Sequence, residues 1–131
     1  MIAIGSGPGA LNPVKNLPLI YSAIYGTMVV VKFRTVRLPE FVNWFEEQDI
    51  KGRAQIDARI LKIETEGYFG DAKDLGEGLA ELRWKSGRRV YFGRVRDPFG
   101  SVVLLVLGGS KNGQTKDIRQ ARLLLQKYSG D

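Results

Sequence analysis

Along residues 28–128 the apolar positions switch between two spacings, and the switches divide the chain into elements. MVVVKF, residues 28–33, is β-branched and predicts a strand. Pro39 and Glu40 after Leu38 mark a helix start, and Phe41, Trp44 and Phe45 then recur at the spacing of one helical face. A second helix is predicted from about Lys51 to Thr65, with Ile56, Ile60 and Ile63 on one stripe. Residues 67–70, GYFG, end the pair, and the acidic, glycine-bearing stretch 71–78, DAKDLGEG, reads as a loop.

Residues 79–97 alternate instead. Leu82 and Trp84 fall on one face and Glu81, Arg83 and Lys85 on the other, while Val90 and Phe92 oppose Arg89 and Tyr91. A three-residue loop, Ser86–Arg88, pairs Trp84 with Val90, Leu82 with Phe92 and Arg83 with Tyr91, keeping apolar and charged faces apart and leaving Tyr91 on the outer one. Residues 97–100, DPFG, form a turn, and VVLLVL, residues 102–107, is apolar throughout, as in a central strand covered on both faces or nearly so. GGSKNGQTKDI, residues 108–118, is a loop leading into a last helix, Lys116 to Tyr128, with Ile118, Ala121, Leu125 and Tyr128 inward and Lys116, Arg119 and Arg122 as a basic stripe. The predicted order is β-α-α-β-β-β-α, an α+β domain over residues 28–131.

Residues 1–27 stand apart as a flexible or extra N-terminal leader, with Met28 a possible natural start. Gly5, Gly7 and Ala10 formally fit the dinucleotide fingerprint, but Pro8 and Asn12-Pro13 stand where its helix should open, and no βαβ unit follows. The apolar stretch Leu17 to Val31 is broken by Pro18, Ser22, Gly26 and Thr27, so no membrane partner is expected and the protein reads as cytoplasmic.

The composition holds no cysteine and no histidine, which removes disulfides, thiolate nucleophiles, histidine-based triads and most zinc sites. Neither a metal nor a small-molecule cofactor is expected, and any acid–base group must be Lys, Arg, Tyr, Asp or Glu. The formal charge is +6. It is unevenly spread: residues 78–131 carry eleven lysines and arginines against four acidic residues, and residues 1–77 carry nine against ten. A polyanionic partner for the C-terminal half follows.

FGDAKDLGEGLAELR (69–83), GRRVYF (87–92) and LLVLGGSKNGQTKDI (104–118) followed by Ala121, in this order after two helices, resemble the RelE/ParE superfamily of bacterial toxins, in particular the HigB-like addiction-module killer proteins. The resemblance covers about residues 28–128. It implies a RelE-like antiparallel sheet with two helices packed on one face, a C-terminal helix, and an open face that receives RNA. It further implies the toxin of a type II toxin–antitoxin system, an mRNA interferase that cuts the message in the ribosomal A site, inhibits translation and is neutralised by a cognate antitoxin protein. Toxins of the RelE type place lysines on the strand before the hairpin, where this chain has Ala80 and Leu82; Arg83, Lys85, Arg89 and Tyr91 remain to match.

Cleavage of RNA by the neighbouring 2′-OH needs a group to take its proton, positive charge for the pentavalent phosphate, and a donor for the leaving oxygen. Arg83, Arg89, Tyr91 and Lys111 are the catalytic candidates, with Glu81 or a lysine as base. Lys85, Arg88, Arg94, Lys116 and Arg119 are the RNA-binding candidates. The helix opening near Thr115 adds free N–H groups suited to an anion. Two other readings remain open at this point, a gyrase-directed toxin and a non-catalytic RNA-binding module.

Overall fold

A computed structural model describes residues 11–12, 17–22 and 26–129. The fingerprint-like Gly5 to Ala10 and the rest of the expected leader lie outside the described residues. Within that leader, β1 (Leu11–Asn12) and β2 (Leu17–Ser22) form strands, which join β3 (Thr27–Val30) in a three-stranded antiparallel sheet of order β1-β2-β3.

The larger sheet has the order β4-β8-β7-β6-β5, built from β4 (Arg34–Arg37), β5 (Ala72–Gly76), β6 (Leu79–Arg83), β7 (Arg88–Asp97) and β8 (Gly100–Ser110). Helices α1 (Pro39–Glu46) and α2 (Ile50–Glu66) follow β4, and a 3-10 turn, Lys111–Gly113, leads from β8 into α3 (Gln114–Tyr128). The expected helix pair is present. Pro39 opens α1, Asp49 caps α2 by accepting from the Gly52 N–H at 2.7 Å, and left-handed Gly67 closes it.

The class is α+β, but the architecture differs from the expected β-α-α-β-β-β-α antiparallel sheet in three respects. The strand expected at residues 28–33 stops at Val30, and the strand that enters the large sheet is β4, whose arginine ends disguise it. The expected loop at 71–78 contains β5, an exposed edge strand; the Asp74 carboxylate accepts from the Gly76 N–H at 2.9 Å, and positive φ at Gly76, Glu77 and Gly78 turns the chain back into β6. The sheet is mixed and not antiparallel throughout, because β4 runs parallel to β8.

The hairpin register also differs. Leu82 pairs with Val90, Arg83 with Arg89, Glu81 with Tyr91 and Ala80 with Phe92, two residues away from the expected pairing. The loop is Lys85–Gly87: Gly87 has φ +101 and donates to the Trp84 carbonyl at 3.0 Å, and Trp84 donates to that of Arg88 at 3.1 Å. Glycine supplies the left-handed position this loop needs, which fixes the register. A shift of two preserves the alternation, so Leu82, Val90 and Phe92 share a face as expected.

That face packs on α1 and α2, where Phe41, Ile56, Ile60 and Ile63 meet Leu82, Val90, Phe92, Val103 and Leu105. The opposite face, expected to stand open, is covered by α3: Ala121 and Leu125 pack with Leu79, Tyr91, Leu104, Val106 and Leu107. Tyr128, expected inward, is exposed. A bulge opposite Tyr91 and Phe92 lets both Val106 and Leu107 face α3.

Side chains bind the layers together. The Arg59 guanidinium donates to the carbonyls of Phe69 and Arg83 at 3.2 and 3.0 Å and lies 4.3 Å from the Trp84 ring centroid, tying α2 to β6. Buried Glu64 accepts from the Thr35 hydroxyl at 2.6 Å, and burial pushes its carboxyl above the ordinary value. The Trp44 indole lies directly over Gly108, in the space a Cβ would fill. Gly108→Ala is therefore expected to destabilise the fold by about 1–3 kcal/mol through overpacking. Urea unfolding of Gly108→Ala, Trp44→Leu and the double variant checks it: the double variant should lose less than the sum of the singles.

Candidate functional site

Five chain segments converge at one end of the large sheet: the end of β6, the 85–87 loop, the start of β7, the end of β8 and the start of α3. The Lys111 N–H donates to the Gly87 carbonyl at 2.8 Å and its aliphatic stem packs against Gly87, fixing the 3-10 turn to the hairpin. The segments of this junction carry Arg83, Lys85, Arg88, Arg89, Tyr91, Lys111 and Lys116. Arg94 lies elsewhere, on the far half of β7, and Arg119 is exposed further along α3.

A polar cluster lies between the sheet and the first turn of α3. Glu81 is 0% exposed and takes two hydrogen bonds from Gln114 Nε2, at 3.0 and 3.2 Å. Its Oε2 lies 3.9 Å from Arg89 Nε, an ion pair in which the arginine side chain is 13% exposed. Arg89 is held from behind, its Nη1 donating to the carbonyls of Trp84 and Arg88 at 3.3 and 3.0 Å. Opposite charges under low dielectric attract strongly, but only a carboxylate whose remaining lone pairs are also bonded is tolerated there. Gln114 provides those bonds.

Tyr91 stands two residues from Arg89 on the same strand face and pairs across the sheet with Glu81. Its ring is 0% exposed, which corrects the expectation that Tyr91 lies on an outer, open face. Burial raises its phenol far above the usual tyrosine range, with Glu81 and Asp117 adding to the shift and Arg89 opposing it. Tyr91 is thus a neutral hydroxyl at any physiological pH, able to donate but not to act as phenolate base. Two buried donors, Tyr91 Oη and Arg89 Nε, have no hydrogen-bond partner among the described residues. Orphaned buried donors are uncommon and call for an explanation.

The other candidates divide into engaged and free groups. Arg88 folds back on α2, donating to Gln55 Oε1 at 3.1 Å. Arg83 lies 3.4 Å from the Asp71 carboxylate and is partly exposed. Lys85, Lys111 and Lys116 are exposed. Arg122, expected in the basic stripe, clamps α3 to the β5–β6 turn by donating to the carbonyls of Gly76 and Leu75 at 3.0 and 2.6 Å. Glu81, the base candidate, is sealed beneath α3 and reaches no solvent, so its visible role is to hold Arg89.

Beside the cluster a cleft of about 600 Å³ opens over the end of β8, bordered by Trp44, Ser86, Arg88, Gly109 and Asp117. Here Gly109 permits what Gly108 permits on the other face: the Asp117 carboxylate lies against its backbone. Burial raises the Asp117 carboxyl above its ordinary value, against Lys116. Asp117 is not among the sequence candidates; the glycine pair Gly108-Gly109 is the signal that could have pointed to it. Among the described residues no group of three or more His, Cys, Asp or Glu side chains is placed to hold a metal ion. No described helix is long and apolar enough to cross a membrane.

A protein of Haemophilus influenzae, described as an uncharacterized protein, is 39% identical to this chain over 90 residues, covering 66% of the chain and 87% of the relative. The chain belongs to that protein's family. No family model matches the chain, and no solved structure matches it. The family kinship carries no activity with it, so function rests on the site.

The Gln114–Glu81 contact generates a prediction. Gln114→Ala should cost about 1–3 kcal/mol by leaving a buried carboxylate short of donors. Gln114→Glu should cost more at neutral pH, because it sets a second carboxylate against Glu81, and the excess should vanish as pH falls through the carboxylate range. Thermal unfolding of both variants across that range checks the ordering.

Proposed function

We propose that the chain is a HigB-like toxin of the RelE/ParE superfamily, acting as an mRNA interferase in a type II toxin–antitoxin system. The observation that carries this reading is the pair of orphaned buried donors, Arg89 Nε and Tyr91 Oη, side by side on one strand face beneath a rim of exposed lysines. Anionic oxygens are what such donors pair with best, and a phosphodiester supplies several. The three sequence blocks behind the resemblance fall on β5–β6, on the start of β7 and on β8–α3, the segments that build this junction.

In this reading Arg89 and Tyr91 stabilise charge on the phosphate during attack by the 2′-OH, Arg83 and Lys111 bind flanking phosphates, and Lys85, Arg88, Lys116 and Arg119 hold the strand. Access to Tyr91 requires the first turn of α3 to shift, and the Gln114–Glu81 bonds are what must yield. Asp117, at the cleft with a raised pKa, replaces Glu81 as the carboxylate positioned to accept a proton. The partners are mRNA in the ribosomal A site and a cognate antitoxin protein that occludes the same basic end, all in the cytoplasm.

The test is expression in a translating extract with mapping of message ends. Cleavage within messages supports the reading, while intact messages with inhibited gyrase supercoiling replace it with a gyrase-directed toxin. Arg89→Ala is expected to slow cleavage by about 10²-fold or more, as for loss of one preorganised donor. Arg96→Ala, at the far end of β7, should change only salt-dependent affinity. If folded Arg89→Ala and Tyr91→Phe both cut at the parent rate, the site is wrong. Because the chain lacks His and Cys, cleavage should also survive chelation of divalent ions once the ribosome's magnesium requirement is controlled.

A further inference from the structure

At the other end of β7 the sheet carries a second feature that the cluster does not use. Arg94 is exposed, yet its guanidinium is not loose: it lies 4.4 Å from the Phe69 ring centroid and 5.3 Å from that of Phe33. Phe69 in turn stacks on buried Phe92, with centroids 5.3 Å apart and planes 20° apart. The result is a layered stack that ends in a planar cation at the surface. Its cost in side-chain entropy is already met by the aromatic contacts.

This stack lines a groove of about 360 Å³, bordered by Phe69, Lys73, Ala80, Phe92 and Arg94. Ala80, paired with Phe92 across the strands, makes it deep where a larger side chain would fill it. The one carboxylate on its border, Asp74, is turned to its own backbone at Gly76. Exposed Lys73 adds a point charge at the edge strand. A flat apolar floor, a planar guanidinium and a neighbouring lysine together suit a planar ring attached to an anion, and the volume is at the small end of ligand pockets.

We infer that this groove is a nucleobase-stacking subsite, in which a base of single-stranded RNA lies against the Arg94–Phe69 stack while Lys73 meets its phosphate. The inference rests on the RNA reading of the basic end and extends it: a strand held at the cluster beneath α3 would pass around the β5 edge and make a second contact on the opposite side of the sheet. Arg94, expected as a plain phosphate contact, becomes a residue whose shape matters as much as its charge.

The test uses two fluorescent probes of equal length and charge, a short single-stranded RNA and its abasic counterpart, with affinity measured on the full chain. Arg94→Lys keeps the charge and loses the plane. It should weaken binding of the RNA by about tenfold, the loss expected for one stacked base, and leave the abasic oligomer unchanged. Equal weakening of both probes, or no change in either, overturns the subsite, as does a parent chain that binds both equally. Message cleavage by Arg94→Lys and the parent, measured alongside, separates the two claims: cleavage with no effect on base-dependent affinity refutes only the subsite. A parent that neither cuts message nor binds RNA refutes both.

Discussion

The structure depends on one strand being apolar on both faces. β8 contributes Val103 and Leu105 to the core beneath α1 and α2, and Leu104, Val106 and Leu107 to the core beneath α3. A strand buried on both sides has no room for unpartnered polar groups along its length, so polar chemistry is pushed to its ends. Gly108 and Gly109 mark the place where the double burial stops. With no Cβ on either, Trp44 closes one face and the Asp117 carboxylate lies against the other. The candidate site occupies this boundary because it is where the apolar constraint is released while the backbone is still held by its neighbours.

Glu81 is the exception that tests the rule, a carboxylate placed inside the α3 face. Its burial is tolerated because every demand it makes is met locally: Gln114 donates twice and Arg89 supplies the opposite charge. The arrangement couples three things that could otherwise vary independently, namely the seating of the first turn of α3, the orientation of Arg89 and the register of β6 on β7. A change in any one is transmitted to the other two. Arg89 and Tyr91 are left with donors that nothing in the described residues accepts. That incomplete satisfaction at the rim of a core otherwise well paired is the physical reason to look for a ligand there.

Much of this was legible in the residues. The Phe41/Trp44/Phe45 and Ile56/Ile60/Ile63 spacings marked both helices, the parity of Leu82, Val90 and Phe92 marked one sheet face, and the concentration of cations after residue 78 marked the basic end. What was not legible depends on tertiary cover. β5 owes its strand to pairing with β6 alone, since its own residues are glycine-bearing and exposed. β4 hides between arginines whose guanidinium groups lie over aromatic rings, Arg37 on Phe41 and Phe45 and Arg34 on Phe99. Tyr91 and Glu81 read as outward because they alternate with apolar residues, and alternation names two faces without saying whether the second is wet.

The run VVLLVL bears on whether that second face is wet. A run as uniformly apolar as VVLLVL needs cover on both faces, α1 and α2 can supply only one layer, and the remaining helix is the C-terminal one. Ala121 and Leu125 meet that need, and Leu125 reaches Gly93 so closely that a Cβ there would collide with it. Gly93 is thus a third point where a missing side chain admits a neighbour, here on the α3 face midway along β7. Three glycines on β7 and β8 therefore set how near each helix comes to the sheet: Gly108 for α1, Gly109 and Gly93 for the two ends of α3. The depth of the cleft and the burial of Tyr91 are consequences of that spacing, so the chemistry at the end of the sheet is governed by positions that carry no chemistry themselves.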